Sequence, residues 1–100
     1  MMETIDRKFR ILAVNPCNGH TYTEKDAILF CAKDKAVPAA LAAYHTECEK
    51  LGANKEHLDS IILLIGRVNK FQTEMGGGRV PDTVGACEIA RCIKGEGVEA

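Results

Sequence analysis

Four residues of the sequence have the types and the spacing of a zinc site. Two residues separate Cys17 from His20, and two separate His45 from Cys48. Zinc is bound in proteins by paired Cys and His ligands at this kind of spacing. If Asn18-Gly19 forms a two-residue turn, Cys17 and His20 face each other across a hairpin with their Cβ atoms about 4.5–5.5 Å apart. The sequence therefore offers a Cys2His2 site that would dock a hairpin onto a helix.

The same four residues also have a simpler interpretation that needs no metal. Cys48 fits an apolar helical stripe, His45 is solvated beside it, and Cys17 and His20 flank a turn. Cys48 with His45 is the one local pair of a nucleophile and a base, but no third group that would orient the histidine accompanies it. These observations favour a non-catalytic protein without a cofactor, with zinc as the alternative.

Composition and charge argue against several classes of partner. Thirteen Lys and Arg against fourteen Asp and Glu give a net charge of −1, which provides no general attraction to nucleic acid or to an anionic membrane. Arg67 and Lys70, three residues apart on a polar helical face, leave a DNA-associated accessory protein as a second alternative. Apolar runs are too short to span a bilayer, and the N-terminus lacks the apolar segment of a signal peptide. We therefore expect a cytosolic protein whose five cysteines are reduced.

The N-terminal part of the sequence predicts a β-hairpin and a short helix. Residues 8–14 alternate weakly between two faces, and residues 20–22 form a brief return strand. The connection is either a tight Asn18-Gly19 turn or a wider loop over residues 15–19, since Pro16 lacks the N–H of a ladder residue. Residues 27–32 are apolar on all sides, which predicts a short buried helix with Thr23 near its start.

The middle of the sequence predicts two antiparallel helices over residues 38–51 and 56–75. Gly52 is placed to end the first helix and Asn54 to cap the second. A connection of about four residues makes such helices antiparallel neighbours, so their apolar stripes should face each other. The stripes consist of Val37, Leu41, Tyr44, Cys48 and Leu51 in the first helix, and of Ile61, Leu64, Val68, Phe71 and Met75 in the second.

The second helix is apolar on more sides than one partner helix can cover. Leu58, Ile62 and Ile65 widen its stripe over the first three turns, and Arg67 and Lys70 follow on the polar side. We expect these five residues to form an interaction surface. The β-hairpin, the short helix or another subunit would cover it, because an exposed apolar patch of this size is unusual in a monomer.

Together these features predict an α+β fold, in which a two-stranded β-hairpin packs on three helices: a short buried helix and then an antiparallel helical hairpin. Residues 1–78 would form a single domain, and residues 79–100 a linker and a mostly disordered tail with a candidate helix over residues 86–93. The layout resembles that of small proteins from bacterial or mobile-element genomes. The function that fits best is a small protein-interaction or regulatory module that binds another protein or a second copy of itself.

Overall fold

The computed structural model of this chain describes residues 4–83 and has an α+β architecture. The chain divides into two compact units, which are described separately below. The first contains residues 4–29 together with 82 and 83, and the second contains residues 30–81. The candidate helix over residues 86–93 and most of the predicted tail lie outside the described residues. The assignment of residues 1–78 to one domain stays a prediction.

The first unit contains the predicted β-hairpin, with strands β1 (Leu12–Val14) and β2 (Thr21–Thr23). The strands are antiparallel, and Ala13 pairs with Tyr22 at the centre of the register. The connection is the wider of the two expected forms. The amide of Asn15 donates to the carbonyl of His20 over 2.8 Å, and the amide of Gly19 donates back to the Asn15 carbonyl over 2.7 Å. Gly19 adopts a φ of +75°, which an L side chain rarely allows.

A buried carboxylate organises the rest of this unit. One oxygen of Asp6 accepts the amides of Lys8 and Phe9 over 2.8 and 2.7 Å, and the other accepts the amide of Leu29 over 3.0 Å. The Glu24 side chain accepts the amide of Ile11 over 2.8 Å. Irregular backbone must have its amides satisfied when it is buried, and here side-chain oxygens do so in place of a sheet or helix.

The expected helix over residues 27–32 is not formed, so the described chain has two helices and not three. Asp26 and Thr23 close a turn instead: each amide donates to an oxygen of the other residue, over 3.1 and 2.9 Å. Ile28 and Phe30 are exposed, so the segment is not the buried centre that its composition suggested. Six residues are too few to form a stable helix without tertiary support, and the bond from Leu29 to Asp6 holds the backbone in another conformation.

The second unit is built around the predicted helical hairpin, formed by α1 (Val37–Lys50) and α2 (Lys55–Glu74). Asn54 caps α2, as expected, by accepting the amide of His57 over 2.8 Å. Gly52 follows α1 with a φ of +80°, and the amide of Ala53 reaches the carbonyl of Cys48 over 3.0 Å. This is the bonding pattern of a Schellman motif, so the sequence signals for the ends of these helices were correct.

The two helices pack along a seam that runs the length of α2. Val37 and Cys48 of α1 and Ile61 and Val68 of α2 are buried. Half-buried residues continue the seam at alternating intervals of three and four residues: Leu58, Ile65 and Gln72 of α2, and Met75, which caps its end. This interval is typical of helices that cross at a small angle.

Polar contacts close the base of the helical hairpin. The side-chain amide of Gln72 donates to the carbonyls of Ala32 and Asp34 over 2.9 and 2.8 Å. Arg79 pairs with the same segment through its backbone, donating to the carbonyl of Lys33 over 2.7 Å and accepting the amide of Lys35 over 2.9 Å. The segments that enter and leave the hairpin are therefore joined.

Candidate interaction surface

One side of the helical hairpin remains open, although both predicted stripes contribute to the seam. Each stripe has members in the seam and members that lie beside it. The members outside the seam are large and exposed: Tyr44 (51%), Leu51 (77%), Leu64 (39%) and Phe71 (48%). We call these four side chains the apolar face. They were expected to cover each other, and instead they present apolar surface to solvent.

Helical spacing and one measured contact place the four residues on the same side of the hairpin. Leu51, the residue that caps the end of α1, follows Tyr44 by seven residues, and His57, Leu64 and Phe71 follow one another at the same interval on α2. Seven residues are close to two helical turns, so each set forms a row along its helix. The rings of Tyr44 and His57 meet edge to face, with centroids 6.0 Å apart and planes at 79°. The two rows are therefore neighbours.

The contact between the rows is partly polar. The Tyr44 hydroxyl lies 3.4 Å from Nε2 of His57. On its own helix the same hydroxyl hydrogen-bonds with Cys48, which is the main reason that the pKa of Tyr44 is raised, followed by charge interaction with Cys48 and by desolvation. A tyrosine with an ordinary or raised pKa is protonated near neutral pH, so Tyr44 contributes a neutral ring to the apolar face.

Neither row contains a charged Lys, Arg, Asp or Glu residue. At about 100° per residue, Glu47 and Arg67 fall at the outer margins of the two rows. Both are exposed. An apolar centre with a polar margin is the usual composition of a protein–protein interface.

Of the residues expected to form the interaction surface, Arg67 lies at the margin of the apolar face, and the other four lie elsewhere on α2. Leu58 and Ile65 are half-buried in the seam, so they contribute little accessible surface. Ile62 is exposed, on the side of α2 away from Leu64 and Phe71, and Arg67 and Lys70 are exposed on its outer side. The binding of a partner by these five residues stays a prediction.

The four predicted zinc ligands occur in different parts of the chain. Cys17 and His20 are exposed residues of the loop between β1 and β2, where the Cys17 amide donates to Oδ1 of Asn15 over 2.9 Å. His45 is half-buried and Cys48 is buried on α1. Between residues 4 and 83, no three His, Cys, Asp or Glu side chains group closely enough to hold a metal ion. The Cys2His2 site stays a sequence-based prediction.

Sequence reasoning assigned the residues of the apolar face to the core and did not single out His57. The signal that could have found the face was an ambiguity in the pattern of α2. Ile61 and Val68 belong to two overlapping series at intervals of three and four, one with Ile65 and one with Leu64 and Phe71. One partner helix covers only a narrow seam, so one of the two series had to remain outside it. His57 carried no apolar signal, and its contact with Tyr44 depends on the tertiary structure.

Two further observations bear on function. Neither helix in the described range combines the length and the apolar character that a membrane span requires. In comparisons with protein families, curated proteins and solved structures, nothing matches this chain.

Proposed function

We propose that this chain is a small non-catalytic protein-binding module that acts in the cytosol. The observation that carries the proposal is the apolar face of Tyr44, Leu51, Leu64 and Phe71, which stays exposed beside a formed seam. Contiguous apolar surface rimmed by polar residues marks protein interaction sites.

The thin core supports the same proposal. Among the described residues of the second unit, the buried apolar side chains are Val37, Cys48, Ile61 and Val68. Leu64 and Phe71 are large apolar residues of α2, yet they lie outside this core. Their burial against another protein would bring aromatic and aliphatic side chains together, which are the residue types that anchor interfaces.

The experiment is site-specific photo-crosslinking in cells that express the full chain. A benzophenone amino acid is placed at position 64 in one variant and at position 62 in another. Leu64 and Ile62 are both exposed aliphatic residues of α2, but only Leu64 belongs to the apolar face. We expect a discrete adduct from position 64, little or none from position 62, and loss of the adduct when Phe71→Glu is added.

Adducts of equal yield from the two positions would overturn the proposal, because the apolar face would then bind a partner no better than the opposite side of α2. Complete absence of adducts from position 64 would overturn it as well. The mass of the adduct identifies its partner as another protein or as the chain itself.

The zinc-stabilised module and the DNA-associated protein stay sequence-based alternatives. No contact within residues 4–83 favours either of them over protein binding, so neither is developed further.

A further inference from the structure

We propose that the partner of the apolar face is a second copy of this chain, and that two helical hairpins stack face to face as a four-helix bundle. This inference rests on the proposed function, since it names the occupant of the same surface. Three properties of the face support self-association: its area, its lack of charge and its shape.

The available area provides most of the apolar surface that a dimer interface requires. A half-exposed Tyr or Phe ring leaves about 100 Å² accessible, and with Leu51 and Leu64 the four side chains present roughly 400 Å² of apolar surface. A standard interface buries about 800 Å² per partner, and about 65% of a homodimer interface is apolar. The apolar face supplies most of the required apolar area, and backbone and rim atoms would supply the rest.

The charge distribution favours a second copy over a different protein. Charged residues within an interface give partner selectivity and speed encounter with an oppositely charged protein. The rows that carry Tyr44 and Leu51, and Leu64 and Phe71, contain no Lys, Arg, Asp or Glu. Two copies therefore bring no like charges together at the centre, and a net charge of −1 per chain gives little long-range repulsion.

The shape of the face suits symmetric stacking. Two antiparallel helices with a shared apolar side have the form of half a four-helix bundle, in which the core is completed by another pair. A two-fold axis makes the same patch complementary to itself, and two-fold dimers are the commonest oligomers. Leu64 and Phe71 would then lie in a core between the two helical hairpins, from which water is excluded.

The test measures the mass of the purified full chain by light scattering during size-exclusion chromatography. We expect twice the 10.9 kDa of one chain. A Leu64→Glu/Phe71→Glu variant and a Leu64→Lys/Phe71→Lys variant should each elute as single chains, because each places like charges across the symmetric interface. Mixing these two variants should restore the doubled mass, since the introduced charges are then opposite.

The matched control is Ile62→Glu, which places the same charge at an exposed position of α2 outside the face and should keep the doubled mass. A single-chain mass for the unmodified protein up to millimolar concentration would overturn the inference, and this measurement does not depend on any variant folding. A doubled mass that survives both charged variants would overturn it as well. If the unmodified chain is monomeric and position 64 still crosslinks to another protein, protein binding stands and only the choice of partner fails.

Discussion

Each of the two units of this chain is stabilised internally by a different kind of interaction. Around Asp6 and Glu24, carboxylate oxygens accept backbone amides of irregular segments. Ile11 is the one buried apolar residue among the described residues of this unit. In the helical hairpin, apolar side chains meet along a seam and the backbone bonds lie within the helices. The first unit depends on a few polar bonds placed at single positions, whereas the second depends on a repeating apolar pattern.

The sharpest test of this difference compares two adjacent isoleucines of α2. Ile61 is 3% exposed in the seam and Ile62 is 54% exposed beside it. We expect Ile61→Ala to lower the free energy of unfolding by about 2–5 kcal/mol, because it leaves a cavity in a thin core. Ile62→Ala should change it by less than about 1 kcal/mol. Urea unfolding followed by far-UV circular dichroism measures both, and similar losses for the two variants would contradict the seam as described.

The corresponding test in the first unit is Asp6→Asn. The replacement keeps the size of the side chain, but its NH2 group cannot accept a hydrogen bond, so at least one of the amides of Lys8, Phe9 and Leu29 loses its partner. We expect a loss of about 1.5–3 kcal/mol, the usual range for hydrogen bonds to a charged group. Hydrogen exchange of these three amides is the measurement, and faster exchange is the expected result.

Asp26→Asn is the control for this substitution, since the Asp26 carboxylate accepts one exposed amide, that of Thr23. It should alter amide exchange much less than Asp6→Asn does. Unchanged protection of Lys8, Phe9 and Leu29 in the Asp6 variant would show that the carboxylate does not organise the unit.

The smallest expected effects are in the pH dependence, and they have opposite signs in the two units. The pKa of Glu24 is lowered, mainly by the hydrogen bond from the Ile11 amide. Its contribution to stability is present above the pKa of the unfolded chain and is lost as the pH falls through the folded value. The pKa of Lys55 is raised, mainly by its hydrogen bond to Asp59, which spans 2.6 Å. Its contribution is present below the unfolded pKa and is lost as the pH rises through the folded value.

Unfolding midpoints measured against pH test both signs. Glu24→Gln should flatten the acidic limb and leave the alkaline limb unchanged, whereas Asp59→Asn should flatten the alkaline limb, because it removes the partner of Lys55. The ion pair of Lys55 and Asp59 is exposed to solvent, so added salt should reduce the contribution of Lys55 to stability. If the unfolding midpoint falls equally at acidic pH with and without the Glu24 carboxylate, that carboxylate does not stabilise the first unit.

How far the sequence predicts this fold follows from the same difference between the units. The helical hairpin was predicted closely because its signals are local or periodic: Asn54 as a cap, Gly52 as a helix end, and apolar residues at intervals of three and four. The first unit was predicted less well. The segment over residues 27–32 has the composition of a buried helix, but a bond from Asp6, more than twenty residues earlier, sets its conformation, and no periodic pattern reveals such a bond.

The candidate site was predicted only in part. The apolar residues of α2 were found, but Leu64 and Phe71 were assigned to the core. Leu58 and Ile65 were assigned to a further surface, which the β-hairpin, the short helix or another subunit would cover. Helical spacing gives the angle between residues on one helix and does not give the rotation of that helix against its neighbour. The contact between Tyr44 and His57 depends on that rotation.

The backbone pairing of Arg79 with Lys33 and Lys35 has a mechanical consequence. It makes the segment from residue 35 to residue 79 a closed loop whose two ends are clasped at one point. Tension applied through the flanking chain would load those two hydrogen bonds, together with the bonds from Gln72 to Ala32 and Asp34, before it separated the helices. The helical hairpin is therefore protected from forces along the polypeptide until the bonds that join its two ends have broken.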